Sequence, residues 1–139
     1  MSAFDRATRV LLGLLAVAFV VSVIHYIDNV VNYADYPEPV ADGPPAPAAT
    51  VIAVAWFVFT AAGGIGLWLW FRRRILGAAL ALTLYSVSGL IGIGHYTVPG
   101  ALQMPWWRQA HVIVDIVCGV AVLGFVVWAL ARREALRAP

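Results

Sequence analysis

Four apolar stretches set the terms for this chain: residues 10–28, 51–71, 75–96 and 109–131. Each is near the roughly 20 residues that a helix needs to cross a hydrocarbon core. Helices are the form such segments take, because in lipid every backbone amide must be paired within its own segment. Four spans with short connections fit into 139 residues, and six do not. The composition agrees, at 63% hydrophobic and 12% charged, where soluble domains carry roughly 45–50% apolar and about 25% charged residues. A soluble globular protein, a disordered chain and a nucleic-acid partner are therefore excluded. The expectation is an all-α, integral membrane four-helix bundle forming one domain over residues 1–139.

Orientation follows from the arginines, since the chain contains no lysine. Arg6, Arg9, Arg72, Arg73, Arg74, Arg132, Arg133 and Arg137 fall on one side of a four-span arrangement, and only Arg108 falls on the other. Positive residues stay on the cytoplasmic side during insertion, so both termini are expected there. Trp68, Trp70 and Phe71 read as an inner aromatic belt, and Trp106 and Trp107 as an outer one. Arg6 and Arg9 precede the first apolar run as in a signal peptide, but no small-x-small cleavage site follows before His25, so the run reads as a spanning helix. The lysine-free, Ala-, Val- and Gly-rich composition is of a kind associated with GC-rich bacterial genomes. The expected location is thus a bacterial inner (plasma) membrane, crossed several times.

The outer side carries the one long connection, about residues 33–49, with five prolines and the acids Asp35, Glu38 and Asp42. Such a stretch favours extended geometry and reads as a solvated linker, with a functional lid as the alternative. The single cysteine, Cys118, rules out an internal disulfide and reads as a buried apolar thiol.

Ionisable residues within membrane helices are rare and face the bundle interior or a water-filled cavity. Here they cluster towards the outer ends of three helices. On the first, His25, Asp28, Asn29 and Asn32 share one face, with Ser22 a turn deeper. Asp28 and Asn32 lie near the outer aqueous boundary. On the third, Tyr85, Ser88, Gly89, Gly92, His95 and Tyr96 share a face whose small residues allow close helix approach. On the fourth, His111 and Asp115 are four residues apart, which makes His111 the obvious partner of Asp115 on the same helix, while His25 or His95 could reach it across the bundle. Convergence of these faces predicts a ligand pocket lined by His25, Asp28, Asn29, His95, His111 and Asp115 and walled by Trp56 and Tyr96.

Three functions suit such a cluster. A lipophilic small molecule could bind with its polar end among the His, Asp and Asn groups, and His25, Asp28, His111 and Asp115 are the candidates for acid–base chemistry on it. Alternatively, His25, His95 and His111 could ligate a transition metal or haem. In the third reading the polar residues fix helix register or contact a partner, as in an accessory subunit of a larger membrane complex or a homo-oligomer.

The strings HYIDNVVNYADYPEP (His25 to Pro39) and GHYTVP (Gly94 to Pro99) resemble those of bacterial four-helix membrane proteins. The overall plan over residues 10–131 is also similar to that of the EXPERA family, which includes sterol isomerases and the sigma-2 receptor. That resemblance implies a histidine and acids facing an interior pocket, with Asp28 or Asp115 in the place of the family's acidic residues. This chain differs in its histidine placement and in having no glutamate within a span.

Overall fold

The computed structural model describes residues 2–39 and 45–137; residues 40–44, Asp42 of the long connection included, lie outside them. Every regular element among the described residues is helical, and four helices are long and apolar enough to cross a membrane. They are α1 (Ala3–Val31), α2 (Ala49–Phe71), α3 (Ile75–Leu90), which runs on as a 3-10 helix (Ile91–Thr97), and α4 (Trp106–Ala131); a short α5 (Arg133–Arg137) follows. Half of the apolar window of the third span is buried inside the bundle against 17% for α2. The third span is therefore central, and α2 turns most of its surface outwards. The outward faces carry side chains such as Ile24, Val54, Leu80 and Val120, which suit hydrocarbon and not water.

Of the boundaries that differ from the sequence expectation, three do so for a clear local reason. The first helix begins at Ala3, because Ser2 and Asp5 form a reciprocal capping box (3.1 and 2.9 Å) that satisfies free amides at its start. The third span stays α-helical only to Leu90. Gly92 and Gly94 follow, and the chain tightens into 3-10 geometry, a form often found at helix ends and hinges. The fourth helix starts at Trp106, directly after Pro105, so Trp106, Trp107 and Arg108 form its first turn instead of preceding it.

One end of the bundle is a dry apolar core of Leu11, Trp70, Leu82, Val122 and Leu136, drawn from every helix. Trp70 stacks on Phe4 at 5.2 Å and donates to the Thr8 hydroxyl at 2.8 Å. The turn between α2 and α3 places Arg73 at φ 54. From there its guanidinium lies 4.0 Å above the Phe4 ring and donates to the Leu136 carbonyl at 3.0 Å. Both chain ends and the arginine-rich turn therefore share one end of the molecule. The polar side chains gather towards the other.

Candidate functional site

The site depends on a close crossing of α3 and α4. A Cβ on Gly89 would run into the carbonyl oxygen of Asp115, and one on Gly119 would come 2.7 Å from the carbonyl oxygen of Ser86. Only glycines let these backbones touch. The contact brings Asp115, midway along the bundle, up against α3 and leaves its side chain directed at α1.

Asp115 and His25 are each 2% exposed. Nδ1 of His25 lies 2.7 Å from Oδ2 of Asp115. A carboxylate can only accept, so Nδ1–H donates and the Nε2 lone pair is left for another partner. That nitrogen faces Nε2 of His95 at 3.4 Å. The Asn29 amide nitrogen sits beside both, 3.3 Å from Nε2 of His25 and 2.9 Å from Nε2 of His95. Two imidazole nitrogens are thus turned towards one small space, with a single amide beside both. The spacing expected on α1 explains the arrangement, because His25 and Asn29 are one turn apart and reach His95 together.

A second network surrounds Asp28. Oδ2 accepts from Arg108 Nε at 2.9 Å and from the Tyr36 hydroxyl at 2.6 Å, while Oδ1 accepts from the Asn32 amide at 2.6 Å. Arg108 also donates to the backbone carbonyl and carboxylate of Asp35 at 3.2 and 3.3 Å. Its guanidinium packs over the rings of Tyr36 and Trp107 at 4.7 and 4.9 Å. Burial, and then the hydrogen bond to Asp28, push the Tyr36 phenol above its ordinary range. The two networks meet where the Tyr36 ring packs on His95, centroids 4.9 Å apart.

All six cluster residues named from the sequence, His25, Asp28, Asn29, His95, His111 and Asp115, come together, and of the partners open to Asp115 the structure has His25. Asp115 bonds to His25 across the bundle and not to His111 on its own helix. His111 instead turns towards Asp28, with Nε2 3.3 Å from Oδ2. The angle is poor, and both ring nitrogens of His111 remain buried without a hydrogen-bond partner. Asp28 is no wetted helix end, being 8% exposed and fully bonded. Trp56 stands apart from the imidazoles: its indole donates to Ser22 at 3.3 Å in the seam between α1 and α2. Tyr96 packs with Tyr36, Ala101 and Met104 over the cluster, its hydroxyl buried and unbonded.

Two participants escaped the sequence reading. Arg108 read as a topological charge, and Tyr36 fell in the expected linker. In fact the start of that connection folds back as a 3-10 turn (Tyr33–Asp35), so that Asp35 and Tyr36 close over Arg108. The available signal was charge balance. Arg108 is the one cation on a side whose loop and helix end hold several acids, and a cation near apolar helix ends pairs with them.

The void beside Asp115, lined by Ala18, Tyr85, Ser88, Gly89 and Cys118 among others, measures about 10 Å³, the size of a single water. No slot of porphyrin size opens between His25 and His95, whose Nε2 atoms are 3.4 Å apart. Among the described residues no three His, Cys, Asp or Glu side chains are grouped so as to hold a metal ion. What remains is a carboxylate–imidazole pair whose outer nitrogen is open to a proton or a ligand. Comparison of the chain with protein families, with curated proteins and with solved structures gave no match.

Proposed function

We propose that this is a small multi-pass protein of a bacterial inner membrane, with both termini cytoplasmic, whose outer-half His/Asp cluster engages the polar end of a lipophilic small molecule and moves a proton on it. The observation that carries this reading is the buried His25–Asp115 pair at 2.7 Å. A carboxylate that fixes one imidazole nitrogen leaves the other oriented as a base and stabilises the imidazolium formed when it takes a proton. A double-bond shift, the chemistry that the EXPERA resemblance implies, needs one proton removed at one carbon and one returned at another. His25 serves for both, with Asn29 and His95 beside the same nitrogen. The site takes the head of such a molecule, its body lying along the apolar outward face of the bundle. Entry requires the 3-10 segment carrying His95 to shift, and that geometry is the least stable of the third span.

The test uses purified protein in D₂O, incubated with an organic extract of bacterial membranes. Wild-type protein introduces deuterium at carbon into a discrete lipophilic component, whereas Asp115→Asn and His25→Ala do not. Equal labelling by all three proteins overturns the reading. Orientation is tested by thiol labelling in a Cys118→Ser background. A cysteine at the exposed position Glu38 reacts from the outside of intact cells, and one at Arg74 reacts only after permeabilisation.

A further inference from the structure

We infer that the seam between α1 and α4 at the arginine-rich end of the molecule is a lipid site, which takes one acyl chain of an anionic phospholipid and sets its phosphate against Arg6 and Arg132. At the polar end the two helices are tied together by the His25–Asp115 and Asp28–Arg108 bonds. Towards the other end they part on their outward side around a groove of about 430 Å³. Arg6, Val10 and Leu14 of α1 and Gly124 and Trp128 of α4 are among the residues that line it. Buried Ala7 and Phe125 form its floor, and exposed Val10 and Trp128 its rims. The groove is open because α4 carries no side chain at Gly124, where a Cβ would meet nothing within 4 Å.

Length and width select a single hydrocarbon chain. From Arg6 to Leu14 the helix rises about 12 Å, close to the depth of one leaflet's hydrocarbon, about 15 Å. Spread over that length, the groove is roughly 6 Å across, too narrow for a helix of about 10–12 Å diameter and open to an unbranched chain. Charge selects the headgroup. This end of the chain holds eight arginines against two acids, Asp5 and Glu134, and Asp5 is held in the α1 cap. Arg132 follows Trp128 by one turn, its backbone N–H donating to the Trp128 carbonyl at 3.0 Å, and is exposed. Arg6 carries five donors, so it can take a phosphate besides the contact it already makes. Trp128 suits the headgroup level, where indole rings collect, and basic pockets between spans bind anionic headgroups. The groove shares no residue with the His25–Asp115 cluster, so the site stands independently of the acid–base reading.

The experiment is native mass spectrometry of protein delipidated in an uncharged detergent and titrated with phosphatidylglycerol or with phosphatidylcholine of identical chains. The wild type binds one phosphatidylglycerol per chain, at least about fivefold more tightly than phosphatidylcholine. Arg6→Gln and Arg132→Gln each weaken phosphatidylglycerol binding about fivefold and leave phosphatidylcholine binding unchanged. Arg74→Gln, at the turn outside the groove, changes neither. Gly124→Leu fills the groove and removes both lipids, while helix content and melting temperature verify that the fold survives. Equal affinity of the wild type for the two lipids, an equal loss in Arg74→Gln, or undiminished phosphatidylglycerol binding by Gly124→Leu overturns the inference. Self-association that Gly124→Leu disrupts, with no phospholipid bound, overturns it in favour of a second copy of the chain on the seam.

Discussion

Arg108 and Asp28, eighty positions apart in sequence, meet at 2.9 Å in the polar half of the bundle, and each is under one-tenth exposed. The pair closes α4 onto α1 and holds Tyr36 and Asp35 over the histidines. Removing one partner of a buried pair leaves the other charge uncompensated and costs about 3–5 kcal/mol.

Arg108→Met and Asp28→Asn are therefore each expected to lower the thermal stability of the detergent-solubilised protein by an amount in that range. The double variant should lose much less than the sum, because it leaves no lone charge. Arg108→Lys should not rescue, since an ammonium can neither bridge Asp28 and Asp35 nor stack on Tyr36 and Trp107 as a guanidinium does. Thermal unfolding of the four proteins, read as a double-mutant cycle, checks this.

The α3–α4 crossing gives a second expectation. Gly89→Ala and Gly119→Ala force two backbones apart beside Asp115 and should each cost about 1–3 kcal/mol. Gly124→Ala is the internal comparison. A Cβ there meets nothing within 4 Å, so its melting temperature should equal or slightly exceed that of the wild type.

Tyr36 supplies a pH dependence. Its phenol is held above the ordinary range by burial and by the Asp28 hydrogen bond, whereas in the unfolded chain it ionises near pH 10. An acid whose folded value is raised stabilises the fold below its unfolded value and loses that contribution as pH rises through it. Wild-type stability should thus fall more steeply above about pH 10 than that of Tyr36→Phe. Parallel slopes would show that the phenol does not contribute.

Much of the architecture was legible in the sequence because membranes impose simple rules. Twenty-residue apolar runs identified the four spans, and helical offsets put His25, Asp28 and Asn29 on one face. Pairing stayed open, since Asp115 could meet His111 on its own helix or His25 or His95 across the bundle. His111 and Asp115 are neighbours along a helix, yet the glycine contact at Gly89 swings Asp115 towards α1, which no spacing on α4 encodes. Arg108 and Tyr36 were hidden for a related reason. Their roles depend on a connection folding back over the bundle, and a proline-rich segment gives no periodicity from which to foresee that.

The central claim is that Asp115 holds His25 with Nδ1 protonated and Nε2 free for a proton or a ligand. Nitrogen-15 NMR of histidine-labelled protein, prepared free of metal and assigned with His25→Ala, reads this directly. The account predicts that neutral His25 is the Nδ1–H tautomer in the wild type and loses that preference in Asp115→Asn. An Nε2–H tautomer for His25 in the wild type, or one indifferent to Asp115→Asn, would contradict it.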